Sequence, residues 1–228
     1  MEIVRQLFGA VMPVSCLLCG APEPQSGTLC SGCLADLPGS GVACPSCGAK
    51  QTTTDLCGRC QNRKPPYDQI LSAYEYAYPV DNLIRAFKYR NTLIVAKSLT
   101  PALAERVRGQ SRNTPQAMLP VPLHFGRLCR RGFNQSQEIA RRLKGELGIP
   151  IDDRLLRRHK ATREQALLAP RERRRNLRAA FSLNRGNPYR SVAIVDDVFT
   201  TGATVSELAR LLRRTGTKEI QVWVLARA

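Results

Sequence analysis

The stretch Val192-Ala193-Ile194-Val195-Asp196-Asp197-Val198-Phe199-Thr200-Thr201-Gly202-Ala203-Thr204 decides the fold. Val192 to Val195 is an apolar run of the kind that forms a fully buried strand, and residues 203–215 have the spacing of an amphipathic helix. Between them a Thr/Gly turn sets consecutive backbone N–H groups and the hydroxyls of Thr200, Thr201 and Thr204 at a helix N-terminus. There the helix dipole, equivalent to about half a positive charge, favours phosphate. Gly202 lets the backbone approach that anion closely. Asp196 and Asp197, expected at the strand's end, are acceptors for sugar hydroxyls. An acid pair beside an anion cradle reads as a site for a sugar phosphate, whereas an acidic strand end capping a helix needs only one of these residues.

Outward from this stretch, apolar periodicity predicts strands over residues 71–76, 117–123 and 220–225, and helices over 80–88, 92–108 and 135–147. Strand, helix, strand in that order implies parallel pairing through right-handed crossovers, with ligands at the carboxyl ends of the strands. The fold class is α/β, a parallel sheet with helices on both faces. The Pro120-Val121-Pro122 turn closes one strand at the same sheet edge as the acid pair. That brings Arg127, Arg130 and Arg131 within reach of a pyrophosphate, which planar guanidinium donors suit. Lys88, Arg157, Arg163, Gln165 and Arg171 are further candidates to line the site.

The 228 residues carry 35 Lys+Arg against 18 Asp+Glu, a net charge of +17 that attracts phosphates, nucleic acid or acidic membrane surfaces. Up to Pro66, however, five basic residues meet four acidic ones, and eight of the nine cysteines lie before residue 61. Charge and cysteine content change together at Arg63-Lys64-Pro65-Pro66, read as the boundary between residues 1–66 and a basic domain of residues 67–228.

The cysteines fall as Cys16-x-x-Cys19, Cys30-x-x-Cys33, Cys44-x-x-Cys47 and Cys57-x-x-Cys60. A two-residue gap points both thiolates of a pair at one ion, and two pairs complete the tetrahedral shell of a structural Zn²⁺ with no open position for water. Eight ligands make two structural zinc ions. Short loops favour Cys16, Cys19, Cys30 and Cys33 on one, and Cys44, Cys47, Cys57 and Cys60 on the other; the spacing leaves a cross-braced pairing, and iron in the same shell, open. Disulfides belong to exported chains. The apolar run over residues 7–14 is broken by Pro13 with only Arg5 ahead of it, so no secretory signal is read and the expected location is cytoplasmic. No apolar run approaches the roughly 20 residues of a membrane span. With few large apolar side chains, the cysteine-rich segment is expected to depend on its metal and to unfold apart from the basic domain. Cys129 is expected to be a buried thiol.

The stretch from Val192 to Thr204 resembles the 5-phosphoribosyl-1-pyrophosphate (PRPP) motif of type I phosphoribosyltransferases. The resemblance implies that Asp196 and Asp197 hold the ribose 2′- and 3′-hydroxyls, and that Thr200, Thr201, Gly202, Ala203 and Thr204 hold the 5′-phosphate. Leu119-Pro120-Val121-Pro122-Leu123-His124, Arg127, Arg131-Gly132-Phe133-Asn134-Gln135 and Leu83-Ile84-Arg85-Ala86-Phe87-Lys88-Tyr89, together with the cysteine pairs, are similar to the ComF/GntX family. These are bacterial proteins linked to DNA uptake in competence and to DNA utilisation. The resemblance implies a type I phosphoribosyltransferase-like domain behind a small double zinc ribbon. It also implies PRPP bound with Mg²⁺ and a mobile loop within residues 154–178. Pyrophosphate would leave ribose C1 through an oxocarbenium-like transition state.

Two classes of function follow: a phosphoribosyltransferase of unknown acceptor, or a single-stranded-DNA-handling component, partnered by other DNA-uptake proteins, in which the fold is not catalytic. The positive charge serves both. His124 is expected to be structural rather than an acid or base. Tyr74, Tyr76 and Tyr78 alternate and are expected to share one strand face that packs a domain interface.

Overall fold

The computed structural model describes residues 15–22, 29–89, 92–159 and 180–228. In chain order the elements are α1 (Ser31–Ala35), α2 (Gly58–Asn62), β1 (Gln69–Glu75), α3 (Val80–Tyr89), α4 (Ile94–Gln110), β2 (Ala117–Pro120), α5 (Phe125–Arg131), α6 (Gln135–Leu147), β3 (Leu156–Arg158), β4 (Phe181–Leu183), β5 (Ser191–Phe199), α7 (Ala203–Arg214) and β6 (Glu219–Arg227). Four strands pair in parallel in the order β1-β6-β5-β2, with Ile194 opposite both Leu119 and Val222.

Alternate residues of the central strands fill two cores. Ala193, Val195, Trp223 and Leu225 pack with α3, α4 and α6, while Val192, Ile194, Val222 and Val224 pack with α7 and the antiparallel β3/β4 pair. Strands covered on both faces are apolar over consecutive residues, Val192 to Val195 in β5 and Val222 to Ala226 in β6, which is why they read as runs rather than alternations. The helices bury single stripes. In α3 these are Val80, Leu83, Ile84 and Phe87, and in α7 Val205, Leu208, Ala209 and Leu212, both at the spacing of one helical face. No helix among the described residues is long and apolar enough to cross a membrane.

Two of the strand ends that differ from expectation shape the site. β2 stops at Pro120 rather than residue 123, because neither Pro120 nor Pro122 has an N–H to donate; the last bond runs from Val121 N–H to the Val195 carbonyl, 2.9 Å. β5 does not stop at Val195, because β6 continues beside it to Arg227. Asp196 and Asp197 therefore lie inside the strand, Asp196 opposite Val224, rather than beyond its end. Where β2 has left and β5 runs on, a crevice opens at the carboxyl end of the sheet.

Both sheet edges are covered. Met118 N–H donates to the Pro150 carbonyl at 2.8 Å along β2. Along β1 the cysteine-rich segment supplies the missing neighbour: Ser40 N–H donates to Ala73 (3.0 Å), Glu75 N–H to Pro38 (2.8 Å) and Ile70 N–H to Pro45 (3.0 Å). Lys50 pairs with Glu75 at 2.6 Å. An edge that would otherwise template another strand is thus sealed from within. Cys16, Leu29 and Leu37 also enter the core shared with α3 and α4. Composition changes at residues 63–66, yet backbone bonds and a shared core join the two segments.

Trp223, the sole tryptophan, is fully buried in the sheet and donates from Nε1 to Gln221 Oε1 at 3.0 Å. Leu37→Ala, in the cysteine-rich segment, is expected to cost about 2–4 kcal/mol and to lower the melting midpoint read from Trp223 fluorescence by roughly 5–10 °C. An unchanged Trp223 transition would mean that the segment melts by itself.

Candidate functional site

Asp196 and Asp197 face the crevice with partners that make their burial tolerable. Asp196 Oδ1 accepts from Ser136 Oγ at 2.8 Å and from the Asp197 N–H at 3.0 Å. Lys88 Nζ, from α3, lies 3.0 Å from Asp197 Oδ2, and Asp197 is 8% exposed. Burial pulls the Lys88 ammonium down, but the attraction of Asp197 outweighs it and holds its pKa above the ordinary value. Burial and the neighbouring Asp197 charge push the Asp196 carboxyl up to about 7, against the opposing pull of Ser136 and Lys88.

One step along β5, the Thr200 to Thr204 turn opens α7. Gly202 adopts a left-handed φ of +69°, and a Cβ there would stand 2.9 Å from Phe199 Cε2, so only glycine fits. Thr200, Gly202, Ala203 and Thr204, at the start of α7, line the crevice, where the positive end of the helix dipole favours an anion.

The third wall comes from the segment after β2. His124 Nδ1 accepts from Gly126 N–H (3.2 Å) and caps α5, the structural role expected of it. Gly132, at φ 76°, ends α5, and Asn134 caps α6 by accepting from Ser136 N–H while donating to the Val121 carbonyl, both at 3.0 Å. These turns direct Arg127 and Arg131 into the crevice. Arg131 donates to Gln135 Oε1 (3.1 Å) and stacks over Tyr89, 5.2 Å from the ring centroid. Gln135 is 1% exposed, lines the crevice, and its Nε2 has no hydrogen-bond partner. Arg158, from β3, is 8% exposed; burial and the charge of Arg127 draw its guanidinium down to about 10, with Asp196 opposing. The crevice encloses about 240 Å³.

Of the residues singled out by sequence, Lys88, Arg127, Arg131, Asp196, Asp197, Thr200, Gly202, Ala203 and Thr204 line this one cleft. Thr201 and Arg130 are exposed and stand outside its lining. Arg157 is also exposed: in β3 burial alternates, so Arg158 points inward instead. Arg163, Gln165 and Arg171 lie outside the described residues. Cys129 is exposed on α5, not buried, because this short helix buries none of its residues. The tyrosines part company: Tyr74 is buried opposite Gly39, Tyr76 lines the cleft, and Tyr78, beyond the end of β1, is exposed. Arg158, Gln135 and Ser136 were not foreseen as site residues; the only signal for Arg158 is the alternation of Leu156-Arg157-Arg158 within an arginine-rich run.

The cysteines form two quartets, Cys16, Cys19, Cys30, Cys33 and Cys44, Cys47, Cys57, Cys60, each with its sulfurs within 4.8 Å of one another. Cys19 and Cys30 sulfurs are 3.7 Å apart, and those of Cys47 and Cys57 3.6 Å. A tetrahedron with bonds of about 2.3 Å has edges of about 3.8 Å, so the donor sets fit zinc. Burial pushes the Cys16 and Cys44 thiols up, but backbone N–H donors, Cys19 and Cys30 for one and Cys57 and Cys47 for the other, hold them down at about 6 and about 7.

Residues 7–61 match the Double zinc ribbon domain family. The chain is 37% identical over 222 residues to the DNA utilization protein YhgH of Escherichia coli (strain K12), covering 95% of this chain and 98% of that protein. It is 40% identical over 208 residues to competence protein F of Haemophilus influenzae, covering 88% and 90%. The chain belongs to the ComF family. Among solved structures it is similar to the purine phosphoribosyltransferase from Pyrococcus horikoshii Ot3, at 22% identity and a TM-score of 0.34, over 57% of this chain and 71% of that one. The chain joins a double zinc ribbon to a four-stranded parallel sheet.

Asp196 has a raised value in the folded protein, so between about pH 4 and 7 the folded state holds a proton that the unfolded chain has released. Its contribution to stability is therefore most favourable near pH 4 and is lost as pH rises through about 7. Asp196→Asn is expected to be more stable than the parent at pH 8, by on the order of 2 kcal/mol, with the gap narrowing to less than half of that at pH 5. Urea midpoints at the two pH values check this; a gap independent of pH would contradict it.

Proposed function

We propose that the cleft binds PRPP, together with Mg²⁺, in a protein that serves DNA uptake or utilisation. The observation that carries this reading is the convergence of the acid pair, the phosphate turn and the arginines on one crevice. The ribose diol donates to Asp196 and Asp197, the 5′-phosphate lies against the Thr200 to Thr204 turn, and the pyrophosphate extends toward Arg127, Arg131 and Arg158. Gln135 Nε2 supplies a buried donor on the same side. The lining offers Mg²⁺ hard carboxylate oxygens at Asp196 and Asp197, the donors this ion takes, with the ligand's own oxygens to complete its shell. When bound, the ion would neutralise charge on the departing pyrophosphate.

The reaction such a site supports is displacement at ribose C1. A nitrogen nucleophile forms the new bond, the C1–O pair leaves with pyrophosphate, and fixed guanidinium groups meet the developing charge. Lys88 stays with the acid pair and offsets it. The names borne by the relatives, competence protein F and DNA utilization protein, support the DNA-linked role.

A second reading is favoured by the surface beside the cleft. Phe125 is 74% exposed and Tyr89 65%, with Arg130 and Arg131 nearby in sequence and the Arg131 guanidinium stacked on Tyr89. Aromatic faces among arginines suit single-stranded DNA, through base stacking and phosphate pairing.

Calorimetric titration of PRPP with Mg²⁺ tests the first reading. The double substitution Asp196→Asn and Asp197→Asn, chosen because both carboxylates lie within β5, is expected to weaken binding by at least about 100-fold. Arg158→Gln is expected to weaken PRPP about tenfold while leaving ribose 5-phosphate unaffected. Retained PRPP affinity in the double variant would remove the acid pair from the site. For the second reading, affinity for single-stranded DNA is expected to fall steeply between about 50 and 200 mM salt. A flat salt response would count against phosphate-driven binding.

A further inference from the structure

The second cysteine quartet reaches the floor of the phosphate turn through continuous contacts. Pro45, between Cys44 and Cys47, bonds through its carbonyl to Ile70 of β1, and the Cys47 carbonyl accepts from Arg227 Nε at 3.4 Å. Gly48, at φ +65°, sits so close that a Cβ there would lie 3.2 Å from Ile70 Cγ2 and 3.4 Å from Arg227 Cγ. Arg227 is the register partner of Phe199, and the next residue's N–H donates to the Phe199 carbonyl at 2.9 Å. Tyr67, 5% exposed, lies near Cys47 and Cys60, and its ring meets that of Phe199 edge to face at 6.2 Å and 83°. Phe199 is in turn the surface against which Gly202 turns the chain into α7. The first quartet joins the opposite core, where Cys16 packs with the α3 and α4 side chains.

We propose that the Cys44, Cys47, Cys57, Cys60 quartet positions the phosphate turn, with Tyr67, Arg227 and Phe199 as the positioning residues. Metal in this quartet, and not in the first, then sets the affinity for the phosphate end of a phosphosugar. The proposal rests on the turn being a phosphate cradle. Its physical basis is that the turn has one ring beneath it, and that ring is held from behind by the metal-bound knuckles. A sheet edge that shifts by a few tenths of an ångström tilts the Phe199 ring and the N–H groups aimed at the anion.

The test uses the full-length, zinc-loaded protein, with ribose 5-phosphate and pyrophosphate titrated separately and amide hydrogen exchange followed over residues 199–206. Tyr67→Leu is expected to weaken ribose 5-phosphate about tenfold, leave pyrophosphate within about twofold, and speed exchange at the turn. Tyr67→Phe, which keeps the ring, is expected to restore all three. Arg227→Met, which touches neither ligand, serves if Tyr67→Leu does not fold, and is expected to give the same selective loss. Cys57→Ser is expected to act like Tyr67→Leu, and Cys19→Ser to leave both affinities and the exchange unchanged, with zinc content measured for each. Equal loss of both ligands, or the same effect from either quartet, would overturn the proposal. If the parent protein does not take ribose 5-phosphate, the PRPP reading fails and exchange at the turn decides alone. Faster exchange in Tyr67→Leu and Cys57→Ser only would support the coupling, and unchanged exchange would refute it.

Discussion

Two prolines that cannot donate to a hydrogen-bond ladder determine where this molecule has a site. Pro120 and Pro122 end β2 after a single further bond from Val121, while β5 continues for four residues beyond Val195 beside β6. The mismatch removes a neighbour from β5 at Asp196. The same prolines turn the chain so that α5 begins over the gap, which is why arginines from a segment distant in sequence face an acid pair within the sheet. Had β2 continued to residue 123, β5 would be paired on both sides there and the carboxylates would have no crevice to face.

The crevice gathers acidic groups on one wall and guanidinium groups on another. On one side Asp196 and Asp197 are compensated from behind by Ser136 and Lys88. On the other, Arg127 and Arg158 lie close enough for one to depress the other's proton affinity, and burial adds to the cost. An arrangement in which two guanidinium groups crowd one another across from two crowded carboxylates is relieved by a ligand with hydroxyl donors at one end and anionic oxygens at the other. A phosphoribosyl group bearing pyrophosphate has that polarity.

What the sequence made legible were the features carried by local pattern. The helix over residues 135–147 has the bounds its periodicity indicates, because Asn134 and Gly148 cap it at either end. The cysteine pairs and the acid-threonine stretch are legible because their chemistry needs neighbours in sequence. The length of β5 was not, since it depends on how far β6 runs alongside. Arg158 escaped notice because an arginine-rich run conceals an alternation only two residues wide, and Cys129 because a seven-residue helix has no period from which to infer a buried face. The docking of the ribbon was invisible for a different reason. Ser40, Glu75 and Ile70 make their bonds through backbone groups, which every residue possesses and no side-chain pattern advertises.

That docking changes what the zinc ribbon is for. Some 45 residues with few large apolar side chains gain little from folding alone, and a four-stranded parallel sheet with a bare β1 edge is exposed to pairing with other chains. Joined, each supplies the other's deficit: the ribbon's backbone closes the edge, and the sheet's core takes in Cys16, Leu29 and Leu37. Metal binding contributes folding free energy to the ribbon, and because the ribbon is hydrogen-bonded to β1, that energy is available to the sheet as well. β1 pairs with β6 and β6 with β5, the strand that carries the acid pair and leads into the Thr200 to Thr204 turn. The Cys44, Cys47, Cys57, Cys60 quartet and the crevice therefore stand three strands apart in one hydrogen-bonded unit, the route by which a metal site remote from the crevice would bear on its geometry.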